Sequence, residues 1–111
     1  MPINSRDKGA RGERELADFL RQHGVEARRG QQFSGGADSP DVVTNMPDVH
    51  LECKRVEKGN LYEWLAQAKH DAQHKLPVVA HRRNGKEWVA ILPLGELIEL
   101  LKGLNYVRSS D

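Results

Sequence analysis

Cysteine is nearly absent from this 111-residue chain, aromatic residues make up only 5% of it, and no apolar run is long. A single cysteine excludes an internal disulfide framework and any cysteine-rich zinc module. Without about 20 consecutive apolar residues there is no membrane-spanning helix, and no signal-peptide pattern opens the chain. A soluble, cytoplasmic protein with no membrane partner is the expectation. No excess of one charge stands out either: 17 Lys and Arg against 16 Asp and Glu leave +1. That sum favours no class of partner, but its distribution is uneven. Between Lys54 and Lys86 eight basic residues face three acidic ones. Acids gathered around cations elsewhere would leave the exposed field more basic than +1 suggests.

The length suits one domain over residues 1–111. Its most distinctive stretch is RRGQQFSGGADSP, read as a flexible loop over residues 28–40, and residues from about 104 to 111 read as a tail. A first helix is predicted over Arg6–His23, capped by Ser5 and stopped by Gly24, with Leu16, Ala17 and Leu20 facing inward. Strands are predicted at Val25–Arg29, Asp41–Asn45 and Asp48–Lys54. In the last of these His50, Glu52 and Lys54 share one face, while Val49, Leu51 and Cys53 share the other. A second helix begins with a capping signal, Asn60 followed by Glu63. A strand at Val78–Arg82, an Asn84-Gly85 hairpin into Lys86–Leu92, and a helix from Pro93 to Gly103 complete the chain. In that last helix Leu94, Leu97, Ile98 and Leu101 are expected to face inward. The fold class expected is α/β: a mixed β-sheet flanked by helices, in the order αβββαββα.

Chemistry enters with the acids. Glu13 lies on the inward stripe of the first helix, where a carboxylate is costly unless something pairs with it. An unseen arginine would satisfy it, and so would a metal site. If the strands around Met46-Pro47 form a hairpin, Thr44 pairs with Val49 and Asp41 with Glu52. Two carboxylates opposed on one face repel each other unless a cation lies between them. Oxygen donors of this kind suit Mg²⁺, with Mn²⁺ as a substitute, and water and phosphate complete the coordination. Lys54, two residues on along the same face, is placed to orient a water or stabilise a phosphorus transition state. Glu13 then completes the acid set. Together these residues point to metal-assisted phosphodiester hydrolysis.

Pro40-Asp41, ten intervening residues and Glu52-Cys53-Lys54 resemble the PD-(D/E)xK nuclease signature. The segment Lys8-Gly9-Ala10-Arg11-Gly12-Glu13-Arg14-Glu15-Leu16 resembles the first helix of archaeal-type Holliday junction resolvases. The resemblance implies a restriction-endonuclease-like fold, Asp41, Glu52 and Glu13 as metal ligands, and Lys54 as the catalytic lysine. It also implies a serine in the loop before the aspartate, matched by Ser34 with Ser39 competing, and a glutamine near the site, matched by Gln67. The function so implied is a Mg²⁺-dependent, structure-specific DNA endonuclease that resolves four-way junctions in recombination and repair. Nucleoid or phage DNA would be its location.

Phosphate contacts are expected from Lys8, Arg11, Arg28, Arg29, Lys69 and the Gln31–Gly36 loop. Symmetric incision of a junction by one small domain calls for a homodimer, with the apolar last helix and Trp64 or Trp88 as interface residues. Two other readings stay open: a nuclease of nicking, flap or restriction-type specificity, and an inert DNA-binding module of the same fold. His70 and His74 have the i, i+4 spacing of a helical zinc pair but lack a recognisable third ligand.

Overall fold

The alternating apolar pattern and the capping signals resolve into eight elements in a computed structural model, which describes residues 5–30 and 41–109. In chain order these are α1 (Ser5–Gln22), β1 (Ala27–Arg29), β2 (Val42–Thr44), β3 (Val49–Lys54), α2 (Leu61–Ala72), β4 (Leu76–His81), β5 (Val89–Ile91) and α3 (Leu94–Gly103). The order is the expected αβββαββα. The strands divide into an antiparallel pair, β1-β2, and a three-stranded mixed sheet ordered β3-β4-β5. β3 and β4 run parallel with α2 as their crossover, and β5 closes back antiparallel on β4.

The expected hairpin between the second and third strands is not formed. β2 pairs instead with β1, placing Thr44 opposite Ala27 and Val42 opposite Arg29. The chain turns at Met46, where Val49 N–H donates to Met46 O, and leaves the β2 plane to start the second sheet. Tight spacing around Met46-Pro47 therefore marks a turn between sheets.

Other boundaries differ for local reasons. β4 starts at Leu76, so Pro77 lies inside the strand. Leu76 N–H points to β3, bonding Asp48 O, so the N–H that Pro77 lacks would have faced the β5 side. The β5 ladder reaches only to Val79, and nothing is lost there. Asn84-Gly85 forms a turn closed by Lys86 N–H to Arg83 O, with Gly85 at φ +72°. Pairing with β4 resumes only at Val89, so the hairpin loop is longer than two residues.

Leu16, Ala17, Val42 and Ala80 form the core, with Leu20, Ala27, Cys53 and Trp88 packed around them. α1 thus joins both sheets. Gly12 makes this close approach possible, because a Cβ there would stand 2.6 Å from Arg55 Cβ and 3.7 Å from Cys53 Sγ. On the opposite side, Ala68 and Ala72 of α2 are buried against the three-stranded sheet. Asn60 caps α2 as its spacing predicts, its side-chain oxygen accepting from Tyr62 and Glu63 N–H. The inward stripe expected on the last helix is corrected: α3 has no buried residue, and Leu94 is 69% exposed. No helix among the described residues is long and apolar enough to cross a membrane.

Candidate functional site

β3 carries the polar centre. Period-two alternation puts His50 and Glu52 on one face, and both are buried, at 3% and 7% exposed. A buried carboxylate needs partners. Glu52 Oε1 lies 2.9 Å from His50 Nε2, and its carboxyl group stands close to Asp71 on α2 and close enough to Asp41 for its charge to act there. No lysine or arginine forms an ion pair with Glu52 or Asp71 among the described residues.

Asp41 reaches β3 by a route the expected hairpin did not include. Its Oδ2 accepts from Cys53 N–H at 2.7 Å, so a side chain takes the ladder position that a backbone carbonyl would fill. This bond anchors Asp41 beside Glu52 without any β2-β3 ladder. Burial, and then the charge of Glu52, push the Asp41 carboxyl up to about 7; Glu13 adds to the rise and the Cys53 N–H opposes it. Without a cation, the Asp41 carboxyl keeps its proton well above the usual carboxylate range.

Glu13 projects from α1 toward this region and contributes to the field on Asp41. Its carboxylate accepts from Arg29 Nε at 2.8 Å, so the arginine partner is present. Arg29, expected to contact phosphate, makes this ion pair while its side chain stays 45% exposed. Lys54, the last residue of β3, is partly buried, and its ammonium forms no ion pair among the described residues. Cys53 packs against the core, and burial pushes its thiol up to about 12, which suits a packing residue and not a nucleophile.

Gln67 of α2 is exposed and sits one bond further out, its amide donating to both oxygens of Asp71 at 3.0 Å. That bond, with help from His70, holds Asp71 below the usual carboxylate range against the effect of burial. The acids form a chain from Asp41 through Glu52 to Asp71. Sequence reasoning named Glu52 and Gln67 but missed His50 and Asp71 as members. Their signals were present: His50 shares the Glu52 face, and Asp71 stands four residues after Gln67 beside the buried Ala68 and Ala72.

Among the described residues, the ligand atoms of His50, Glu52 and Asp71 all lie within 4.8 Å of one another. His70 and His74 are both exposed, His74 lies beyond the end of α2, and His70 bonds to Asp71 at 3.2 Å, so among the described residues the two histidines form no cluster of their own. Ser34, Ser39 and the Gln31–Gly36 loop lie outside the described residues, as does the side chain of Lys8. Arg11, Arg28 and Lys69 are exposed.

An α/β scaffold that gathers acids and a lysine along one buried strand is nuclease-like. The family comparison gives the same class. The model of the archaeal Holliday junction resolvase (Hjc) family matches residues 4–108, and the chain belongs to that family. Comparison with curated proteins and with solved structures found no match.

Proposed function

We propose that the chain is a Mg²⁺-dependent endodeoxyribonuclease that resolves four-way DNA junctions as a homodimer. The observation that carries this reading is Asp41 anchored on β3 by the Cys53 N–H, close to Glu52, with Lys54 two residues further along the same strand. Two carboxyl groups buried close together, one pushed up to about 7, offer hard oxygen donors. That donor set fits Mg²⁺, with Mn²⁺ as a substitute. Asp41 and Glu52 would hold the ion, which when bound supplies an activated water and neutralises charge on the phosphate.

The chain's own groups do the rest. Cys53 N–H holds the Asp41 carboxylate in place. Lys54 donates to the phosphate oxygens as charge develops there. Glu13, tied to Arg29, adds negative field at Asp41, which draws a cation to the site. Arg11, Arg28 and Lys69, with Lys8, grip the DNA backbone and carry no sequence information. Gln67 acts on the site through Asp71, and Ser34 contributes from the loop before Asp41.

The dimer reading rests on α3. A helix with Leu94, Ile98 and Leu100 exposed at 69%, 40% and 45% is left largely uncovered by the described residues. A second copy covers it and brings a second acid site for the paired cut.

Cleavage of a synthetic four-way junction against linear duplex, with and without Mg²⁺, tests the reading. Glu52→Gln and Asp41→Asn are expected to abolish cleavage while leaving DNA binding in place. Lys54→Ala should slow cleavage by about 10²-fold with little change in metal affinity, in line with one lost transition-state donor. Full activity in either acid variant overturns the site. Equal cutting of duplex and junction leaves a nuclease without resolvase preference.

A further inference from the structure

The imidazole of His50 is 3% exposed, and the only hydrogen bond of its ring among the described residues goes to Glu52. A buried ring nitrogen close to two acids, with no hydrogen-bond partner outside them among the described residues, is a metal-ligand arrangement. The nuclease reading uses Glu52 through Asp41 and leaves this side unused. We infer that His50, Glu52 and Asp71 form a second divalent-cation site, selective for a borderline ion such as Mn²⁺ over Mg²⁺, with Glu52 shared between the two sites.

Three observations support it. The ligand atoms of the three residues all lie within 4.8 Å of one another, close enough for one ion to draw them together. They come from two elements, β3 and α2, that pack on each other, so the set is held by the fold. Glu52 and Asp71 receive no lysine or arginine among the described residues, unlike Glu15, which has both Arg55 and Arg82. One nitrogen and two oxygen donors give the selectivity. Imidazole binds Mn²⁺ and its first-row neighbours well, whereas Mg²⁺ prefers oxygen and water. His50 must then carry its proton on Nδ1, leaving Nε2 to bind the ion. Gln67 holds Asp71 by bonding to both its oxygens, the outer support that ligating carboxylates commonly have.

The inference rests on the nuclease reading only in treating Glu52 as shared, and the experiment separates the two. Mn²⁺ is titrated into the full chain, stripped of metal, by calorimetry, and the loaded protein is examined by electron spin-echo spectroscopy for ¹⁴N coupling. The expected result is two Mn²⁺ per chain and an imidazole nitrogen coupled to one of them. His50→Gln should remove the coupling and one ion, and Asp71→Asn should weaken the same ion by about tenfold or more. Circular dichroism checks that each variant is folded, and the wild-type spectrum carries the test if one is not. Absence of nitrogen coupling in the Mn²⁺-saturated wild type overturns the site, and so does coupling that survives in His50→Gln. Mg²⁺-dependent junction cleavage is read on the same preparations. Cleavage without nitrogen coupling sinks this inference alone, whereas an Asp41→Asn variant that still cleaves sinks the nuclease site and not this one.

Discussion

A single backbone amide does much to define the acid site. Cys53 N–H fixes Asp41 against β3, and burial beside Glu52 then raises the Asp41 carboxyl to about 7. An acid raised in the folded state stabilises the fold while protonated, below its unfolded value of 3.8. Between that value and about 7 the folded state binds more protons than the unfolded one, so stability falls as pH rises through this window. Thermal melts of the metal-free protein, in chelator, should therefore show the Asp41 contribution lost from about pH 4 to pH 7. Asp41→Asn should flatten that slope and melt higher than wild type near pH 8. Added Mg²⁺ should restore wild-type stability at pH 8 and leave the Asn variant unchanged, because a cation takes the place of the proton. A wild-type slope that survives in the variant would place the titrating group elsewhere.

At the scale of elements, α1 acts as a bracket whose height is set by one missing side chain. Gly12 lets the helix settle against β3, bringing Glu13 into the field of Asp41 and Glu15 onto Arg55 and Arg82. An alanine Cβ would meet Arg55 Cβ at 2.6 Å, the inner end of a side chain already held by Glu15, Glu57 and Asn84. Neither partner yields easily. Gly12→Ala is expected to cost about 1–3 kcal/mol, the range for overpacking, read from chemical denaturation. Junction cleavage measured well below the melting temperature should fall as well, since lifting α1 withdraws Glu13. Stability within about 0.5 kcal/mol of wild type would mean that α1 tolerates the shift.

The whole molecule is lopsided in its burial. Packing concentrates where α1 crosses β2 and β4, while α3 stands with no buried residue. Ile98→Glu places a charge on its apolar surface and should leave the core untouched, because Ile98 is already 40% exposed. Sedimentation of the wild type is expected to give a dimer and that of the variant a monomer with the same circular dichroism. On a junction, the variant should make single nicks where the wild type makes paired cuts. Its DNA binding should also show a shallower dependence on salt, because one subunit neutralises fewer phosphates than two. A wild type that sediments as a monomer would remove α3 from the interface.

The division between sequence and tertiary structure runs through these same residues. Local rules determined the element order, because helix periodicity, strand alternation and the Asn60 cap act over a few residues and need no distant partner. Alternation also placed Glu52 with His50 on one face of β3. The nearness of Asp41 to Glu52 was legible, though through the wrong device. A hairpin was read where the chain passes from one sheet to another, and turn spacing alone cannot distinguish those cases. What joins Asp41 to β3 is a side-chain bond to a backbone amide twelve residues away, and no periodicity encodes such a bond. Asp71 entered the site only because α2 crosses over to the Glu52 face, and Arg29 met Glu13 only because β1 lies beside α1. The apolar stripe of α3 was read correctly as a pattern, but a pattern does not say which surface covers it. Packing decided that, among the described residues, none buries it.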